Sequence, residues 1–206
     1  RRLENIHDAS ARVSGVSTGF ADLDDLTGGL HEDELIIVAG RPSMGKTSFA
    51  LSLAHNVAMQ ESRPGVAIFS MEQTAAQVAE ILACSHARVR RDKLRKGMLS
   101  ESEMQTLLLA AGALSDARIY IDDTPGMSLT ELRTKARHLK SRFDIQLIVL
   151  DYIQLMESPL RRADGRQQEI SDISRGLKAM ARELRSPVVA LSQLNRLVES
   201  REGHRP

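Results

Sequence analysis

Leu35-Ile36-Ile37-Val38-Ala39, followed by Gly40-Arg41-Pro42-Ser43-Met44-Gly45-Lys46-Thr47, is the stretch that decides the fold of this 206-residue chain. The first five residues are an apolar run with the length and composition of a buried strand. The next eight spell a complete phosphate loop of the Walker A pattern, and Ser48 to Gln60 reads as the helix such a loop must open. Glycine lets the backbone wrap closely around phosphate, while loop amides and the helix N-terminus supply positive potential. In that setting Lys46 reaches the β- and γ-phosphates of a nucleoside triphosphate, and the Thr47 hydroxyl holds Mg²⁺. The alternative is a glycine-rich strand–helix turn that binds nothing. The flanking strand and helix disfavour it.

Working outward, apolar runs and helix-like stretches alternate. Val66 to Ser70, Arg118 to Asp122, Gln146 to Leu150 and Val188 to Leu191 read as further strands. Thr74 to Arg88 is helical, and the capping-box patterns Ser100–Glu103 and Ser128–Glu131 each open another helix. After a loop over Glu157 to Arg166, a helix carries Ile170, Ile173, Leu177, Met180 and Leu184 on one stripe. Gly176 inside it costs about 1 kcal/mol relative to Ala, which predicts close packing there. Strands that are each continuously apolar, alternating with helices, predict an α/β fold: a mostly parallel central sheet with helices on both faces.

Composition narrows the setting. The apolar content of 42% is enough for a full core, and a net charge of +1 gives no global basic field, so any nucleic acid must meet a local patch. Cys84 is the single cysteine, which excludes an internal disulfide and suits a reducing cytosol. It reads as core, and it and the six histidines show no metal-ligand spacing. No apolar run approaches a membrane span. The densest basic run, Arg88 to Lys96, reads as a solvated helix face. The chain opens Arg1-Arg2-Leu3 and stops at His204-Arg205-Pro206, so it is expected to be a piece of a longer protein.

In an open parallel sheet, ligands bind beyond the carboxyl ends of the strands. Asp151 follows Leu147-Ile148-Val149-Leu150, a Walker B pattern, and is expected to hold Mg²⁺ directly or through water. Tyr152 rather than Glu comes next, so the carboxylate that orients water must lie elsewhere. Glu72, just past the second strand, offers one; its bland reading is a carboxylate at a helix N-terminus. Gln193, after the fifth strand, could bond the γ-phosphate, or be an ordinary loop residue.

Taken in order, Ser14-Gly15-Val16-Ser17-Thr18-Gly19-Phe20-Ala21-Asp22-Leu23-Asp24, the phosphate loop, Phe69-Ser70-Met71-Glu72, Leu150-Asp151-Tyr152-Ile153-Gln154-Leu155, Arg166-Gln167-Gln168-Glu169-Ile170 and Leu191-Ser192-Gln193-Leu194-Asn195-Arg196 resemble the bacterial replicative helicases of the DnaB family, over nearly the whole chain. The resemblance implies a RecA-like P-loop ATPase, the C-terminal motor domain of a cytoplasmic homohexamer that hydrolyses ATP with Mg²⁺ and moves 5′ to 3′ on single-stranded DNA. It implies that Lys46 and Thr47 bind phosphate and metal, that Glu72 is the catalytic base, that Asp151 is the Walker B acid, and that Gln193 couples nucleotide to DNA. It further implies that the loop from Glu157 to Arg166 lines the channel. Arg161, Arg162 and Arg166 would there meet DNA phosphates, a salt-sensitive, sequence-blind contact. From those residues alone, a solvated loop is the better reading.

On this reading residues 1–12 are the remnant of an interdomain linker helix, and residues 13–206 are the ATPase core, truncated at its C-terminal end. Primase and a helicase loader are expected partners of the family, although the primase-binding domain is not in this chain. The family's second DNA loop and its arginine finger are also not in it, so the fragment alone is expected to hydrolyse ATP poorly. A RecA-type recombinase-like ATPase and a nucleotide-dependent assembly module are the alternatives.

Overall fold

A computed structural model describes residues 13–157 and 166–194, and everything below concerns those residues. Five strands form one sheet in the order β1-β5-β4-β2-β3, every neighbouring pair parallel. They are β1 (Leu35–Gly40), β2 (Gly65–Ser70), β3 (Ile119–Asp122), β4 (Ile145–Asp151) and β5 (Val188–Gln193). The helices are α1 (Ala21–Thr27), α2 (Lys46–Ala58), α3 (Ala75–Ala87), α4 (Arg91–Arg95), α5 (Glu101–Ser115), α6 (Leu129–Phe143) and α7 (Arg166–Leu184). The alternating apolar pattern thus folds as the sequence predicts.

The period-two geometry of strands divides the core in two. Val66 and Ile68 of β2, Leu147 and Val149 of β4, and Val189 and Leu191 of β5 pack under α2 and α3. Their neighbours Ala67, Phe69, Ile148, Leu150, Val188 and Ala190 pack on the other face, under α6 and α7. Both faces are covered, which is why β2 is buried at every residue. The α7 stripe lies against that second face, and at Gly176 an added Cβ would run into the Leu129 side chain. The mid-helix glycine therefore leaves room for the Leu129 side chain at the start of α6.

Two expectations need revision. The Ser128 hydroxyl accepts from the Glu131 N–H, but the Glu131 carboxylate turns to Lys135 at 3.4 Å, so only half of that capping box forms. The complete boxes are Ser100–Glu103 and Thr74–Gln77, the latter passed over in the sequence. The basic run is exposed at Arg88, Arg90, Arg95 and Lys96, as expected, but it is also tied to acids. Arg91 and Arg95 meet Glu80 of α3, Lys93 meets Glu103 of α5, and Arg90 meets Asp92. Those acids lie 10 or more residues away, except Asp92, so helical periodicity gave no sign of them.

The entry to β1 is set by a short antiparallel bridge. Val16 N–H donates to Leu30 C=O at 2.7 Å and Leu30 N–H to Val16 C=O at 2.8 Å. Asp24 is buried beneath it. Burial works to raise its carboxyl pKa, but donors from Ser17, Thr18 and Gly19 outweigh that and hold it below the usual range. Gly15 lies so close that an added Cβ would meet Leu30 O at 2.5 Å and Leu30 C at 2.7 Å, backbone atoms that cannot rotate away. Gly15→Ala is expected to cost about 3 kcal/mol in urea unfolding. A change below the error of that measurement would show that the bridge is soft.

Candidate functional site

The carboxyl ends of β1, β5, β4 and β2 lie side by side, and each carries one of the predicted residues. The registers Gly40↔Gln193 and Ser70↔Asp151 place Gln193 beside the start of the phosphate loop, and Glu72 just past the neighbour of Asp151. Between the loop strand and the Walker B strand runs β5. Sequence order gave no hint of that interval.

The loop turns on two left-handed residues, Ser43 (φ 61°) and Gly45 (φ 82°). Gly45 is the N-cap of α2, and an added Cβ there would meet nothing within 4 Å, so glycine serves the backbone conformation rather than space. That turn starts α2 at Lys46, two residues before the expected Ser48, and puts Lys46 and Thr47 in its first turn. The Lys46 stem crosses Gly40, where a Cβ would fall 3.3 Å from its Cγ and Cδ, and Nζ donates to the Arg41 C=O at 2.8 Å. A cleft of about 470 Å³ opens over the loop, lined by Gly40, Met44, Gly45, Lys46, Phe49 and Leu194 among others.

From α2 the Thr47 hydroxyl reaches across β5 and donates to Asp151 Oδ2 at 2.8 Å. Asp151 is 4% exposed, and its Oδ1 is buried without a hydrogen-bond partner. Burial pushes the carboxyl above its ordinary pKa, and the charge of Glu72 adds to this against the Thr47 hydroxyl and the Lys46 ammonium. A buried carboxylate with a spare oxygen beside a threonine hydroxyl suits a hard cation. Mg²⁺ is commonly bound by one or two carboxylates together with substrate phosphates rather than by an all-protein cage. Among the described residues no group of three or more His, Cys, Asp or Glu is placed to hold a metal.

Glu72 is exposed on a tight turn after β2. Met71 N–H donates to the Asp151 C=O at 2.8 Å, Ser70 Oγ donates to the Gln73 C=O at 2.7 Å, and Gln73 N–H donates back to Ser70 Oγ at 3.2 Å. The cap of α3 is Thr74, and Asp123 accepts from the Ala75 N–H at 2.8 Å. Glu72 therefore lies two residues before the cap of α3, outside the helix itself. Gln193 is also exposed, and the next residue, Leu194, donates its N–H to the Gly40 C=O at 3.1 Å. Of the three arginines, Arg161 and Arg162 lie outside the described residues, as do residues 1–12; Arg166 opens α7, and its side chain is likewise outside them.

Elsewhere, Ser14, His31 and Glu34 stand in hydrolytic-triad order, with Ser14 Oγ 2.9 Å from His31 Nε2 and His31 Nδ1 3.4 Å from Glu34. The nearby N–H groups of Ser14, Gly15 and Val16 are spent on the carbonyls of Gly28 and Leu30. They cannot serve as an oxyanion hole, so the trio ties the N-terminal turn to the strand entry.

Residues 15–206 match the family described as DnaB-like helicase C terminal domain. The chain belongs to that family. It is 47% identical over 204 residues to the replicative DNA helicase DnaC of Bacillus subtilis (strain 168), and 46% identical to the replicative DNA helicase DnaB of Geobacillus stearothermophilus. Each alignment covers 99% of this chain and 45% of the relative, so the chain spans about half the length of these DnaB-like helicases. Among solved structures, the ATPase domain of G40P superposes with a TM-score of 0.89 at 36% identity, covering all of this chain and 72% of that one. A DnaB-like replicative helicase, described with its interactions with primase, superposes at 0.88 and 35% identity, covering 49% of that chain. The fold is thus the RecA-like ATPase domain of DnaB-like helicases. Among the described residues no helix is long and apolar enough to cross a membrane.

Proposed function

We propose that residues 13–206 are the ATP-driven motor core of a replicative DNA helicase, with residues 1–12 the end of a linker to a further domain. The parent protein assembles as a homohexamer in the bacterial cytoplasm. It hydrolyses ATP and moves 5′ to 3′ along single-stranded DNA in its channel. The observation that carries this reading is the Thr47–Asp151 contact, which joins the phosphate loop to the Walker B strand across β5. Family membership and the likeness to G40P's ATPase domain support it.

In this reading the loop from Gly40 to Thr47 wraps the phosphates, Lys46 reaches the terminal ones, and Thr47 with Asp151 holds Mg²⁺. When bound, the metal neutralises charge on the phosphates of the substrate. Glu72 takes a proton from the attacking water, and its rigid turn keeps the carboxylate near Asp151 without tying it to a helix. Gln193 contacts the terminal phosphate from the end of β5. Primase and a loader are proposed partners of the parent protein, and Arg161, Arg162 and Arg166 proposed phosphate contacts for DNA.

The test compares the full-length protein with residues 1–206 alone in ATP turnover, with and without single-stranded DNA. The full-length protein is expected to show DNA-stimulated turnover and to unwind a fork with a 5′ tail. The isolated chain is expected to be slower by about 10³-fold or more, because an arginine finger from a neighbouring subunit is worth that much in related NTPases. Equal, DNA-stimulated turnover by the isolated chain would overturn the shared-site part of the reading. No turnover by the full-length protein under any condition would overturn the motor itself.

A further inference from the structure

The strands β4 and β5 pair through Ile148↔Val188, Val149↔Val189 and Leu150↔Ala190, and their ladder ends there. β4 continues to Asp151, and the chain then leaves the sheet in a 3-10 turn at Ile153–Leu155, whereas β5 runs on to Gln193. In a parallel strand each residue points its N–H and C=O to the same side, and alternate residues face opposite neighbours. Leu194 N–H faces β1, where it meets the Gly40 C=O. The N–H and C=O of Gln193 therefore face the β4 side, where no strand backbone remains to pair with them.

A side chain takes that place. Gln154 Oε1 accepts from the Gln193 N–H at 3.2 Å, and Gln154 Nε2 donates to the Gln193 C=O at 3.1 Å. The same Nε2 lies 2.9 Å from Ser192 Oγ and donates to it. A primary amide offers a donor and an acceptor side by side, as a peptide group does, so one side chain replaces the missing rung of the ladder. Gln154 stands three residues after Asp151, on a turn whose Ile153 is fully buried in the core. The rung thus joins the carboxylate strand to the glutamine strand at the level of the site.

We infer that Gln154 is a positioning residue for Gln193: its amide fixes the Gln193 backbone and thereby aims that side chain at the terminal phosphate. The inference rests on the proposed role of Gln193 as the residue that reads that phosphate. Apolar packing underneath fixes β5 only as far as Leu191, which is fully buried, while Ser192 is half-buried and Gln193 exposed. Beyond that point the Gln154 amide and the Leu194 bond to Gly40 hold the strand end from its two sides.

The test is a double-mutant cycle on the full-length protein, measuring DNA-stimulated ATP turnover. Gln154→Met keeps the length of the side chain but removes both its donor and its acceptor. It is expected to lower kcat by about tenfold, the scale of a misplacement well below 1 Å, while KM for ATP stays within about twofold. In a Gln193→Ala background, Gln154→Met is expected to lower kcat by less than about twofold, because residues acting through one another are not additive. Gln154→Glu, which keeps an acceptor for the Gln193 N–H, is expected to fall between wild type and Gln154→Met; it carries the test if the Met variant does not fold. A full tenfold loss in both backgrounds would assign Gln154 a general structural role and overturn the inference, as would wild-type turnover of Gln154→Met. Wild-type turnover of Gln193→Ala would instead sink the proposed role of Gln193, and this inference with it.

Discussion

Glu72→Gln in the full-length protein is expected to reduce ATP turnover by about 10³-fold, within the range of a positioned general base. ATP affinity is expected to stay within about threefold, because the proposed function assigns the grip on the phosphates to the loop from Gly40 to Thr47 and not to Glu72. The substitution changes neither the length of the side chain nor the turn that carries it. Ser70, Gln73 and the Met71 amide hold that turn through their own bonds. What the variant loses is the capacity to accept a proton, so kcat should fall with little change in KM. Single-turnover hydrolysis together with equilibrium binding of a fluorescent ATP analogue separates the two. Turnover at the wild-type level would move the base to another residue. Lost binding would mean that the Glu72 turn shapes the phosphate site itself. A motor and an assembly module also part here, since assembly without hydrolysis would leave the variant's ATP-dependent function intact.

The sequence revealed the chemistry more fully than the geometry that joins it. The phosphate loop, Asp151 and the five strands are local patterns: a glycine at a left-handed turn, an apolar run ending in a carboxylate, a stripe at helical spacing. Such patterns follow from backbone conformation and burial, which act over a few residues. The strand order is not local. That β5 lies between β1 and β4, so that Thr47 must reach over it to Asp151, depends on contacts between residues more than a hundred positions apart in the chain. Gln154 shows the same limit more sharply. It lies within a recognisable motif, yet its bonds to Gln193 depend on where the β4–β5 ladder stops, which is a matter of strands far apart in the chain. The partners of the basic run were hidden for the same reason: an arginine at 91 and a glutamate at 80 meet only once α3 and α4 have packed. At Glu72 the structure adds position only: the residue lies on the turn two residues before the Thr74 cap, outside α3 itself.

Asp151→Asn is expected to make the protein without nucleotide more stable and at the same time nearly inactive. The carboxyl is almost wholly buried, one of its oxygens has no partner, and Glu72 adds a like charge nearby. The sign follows from its raised pKa. Between the ordinary carboxylate value of 3.8 and the higher folded value, the folded state holds more proton than the unfolded one. Stability therefore falls as pH rises through that window, and the deficit persists at neutral pH, where folding must bury the charge. Asparagine removes the charge but keeps an oxygen to accept from the Thr47 hydroxyl, at the cost of a buried NH₂ group with two donors. The net gain is expected to be about 1 kcal/mol, typical of relieving strain held at a functional site, and read as a higher denaturation midpoint at pH 7. At pH values below the folded pKa of Asp151 that advantage should shrink, because the wild-type carboxyl is then neutral too. ATP turnover should fall by about 10²-fold or more, the usual loss when one preorganised electrostatic group is removed from a reacting phosphate. A variant less stable than wild type at pH 7 would mean that the Thr47–Asp151 contact outweighs the buried charge. The site would then be held together by that contact rather than held in tension for a cation to relieve.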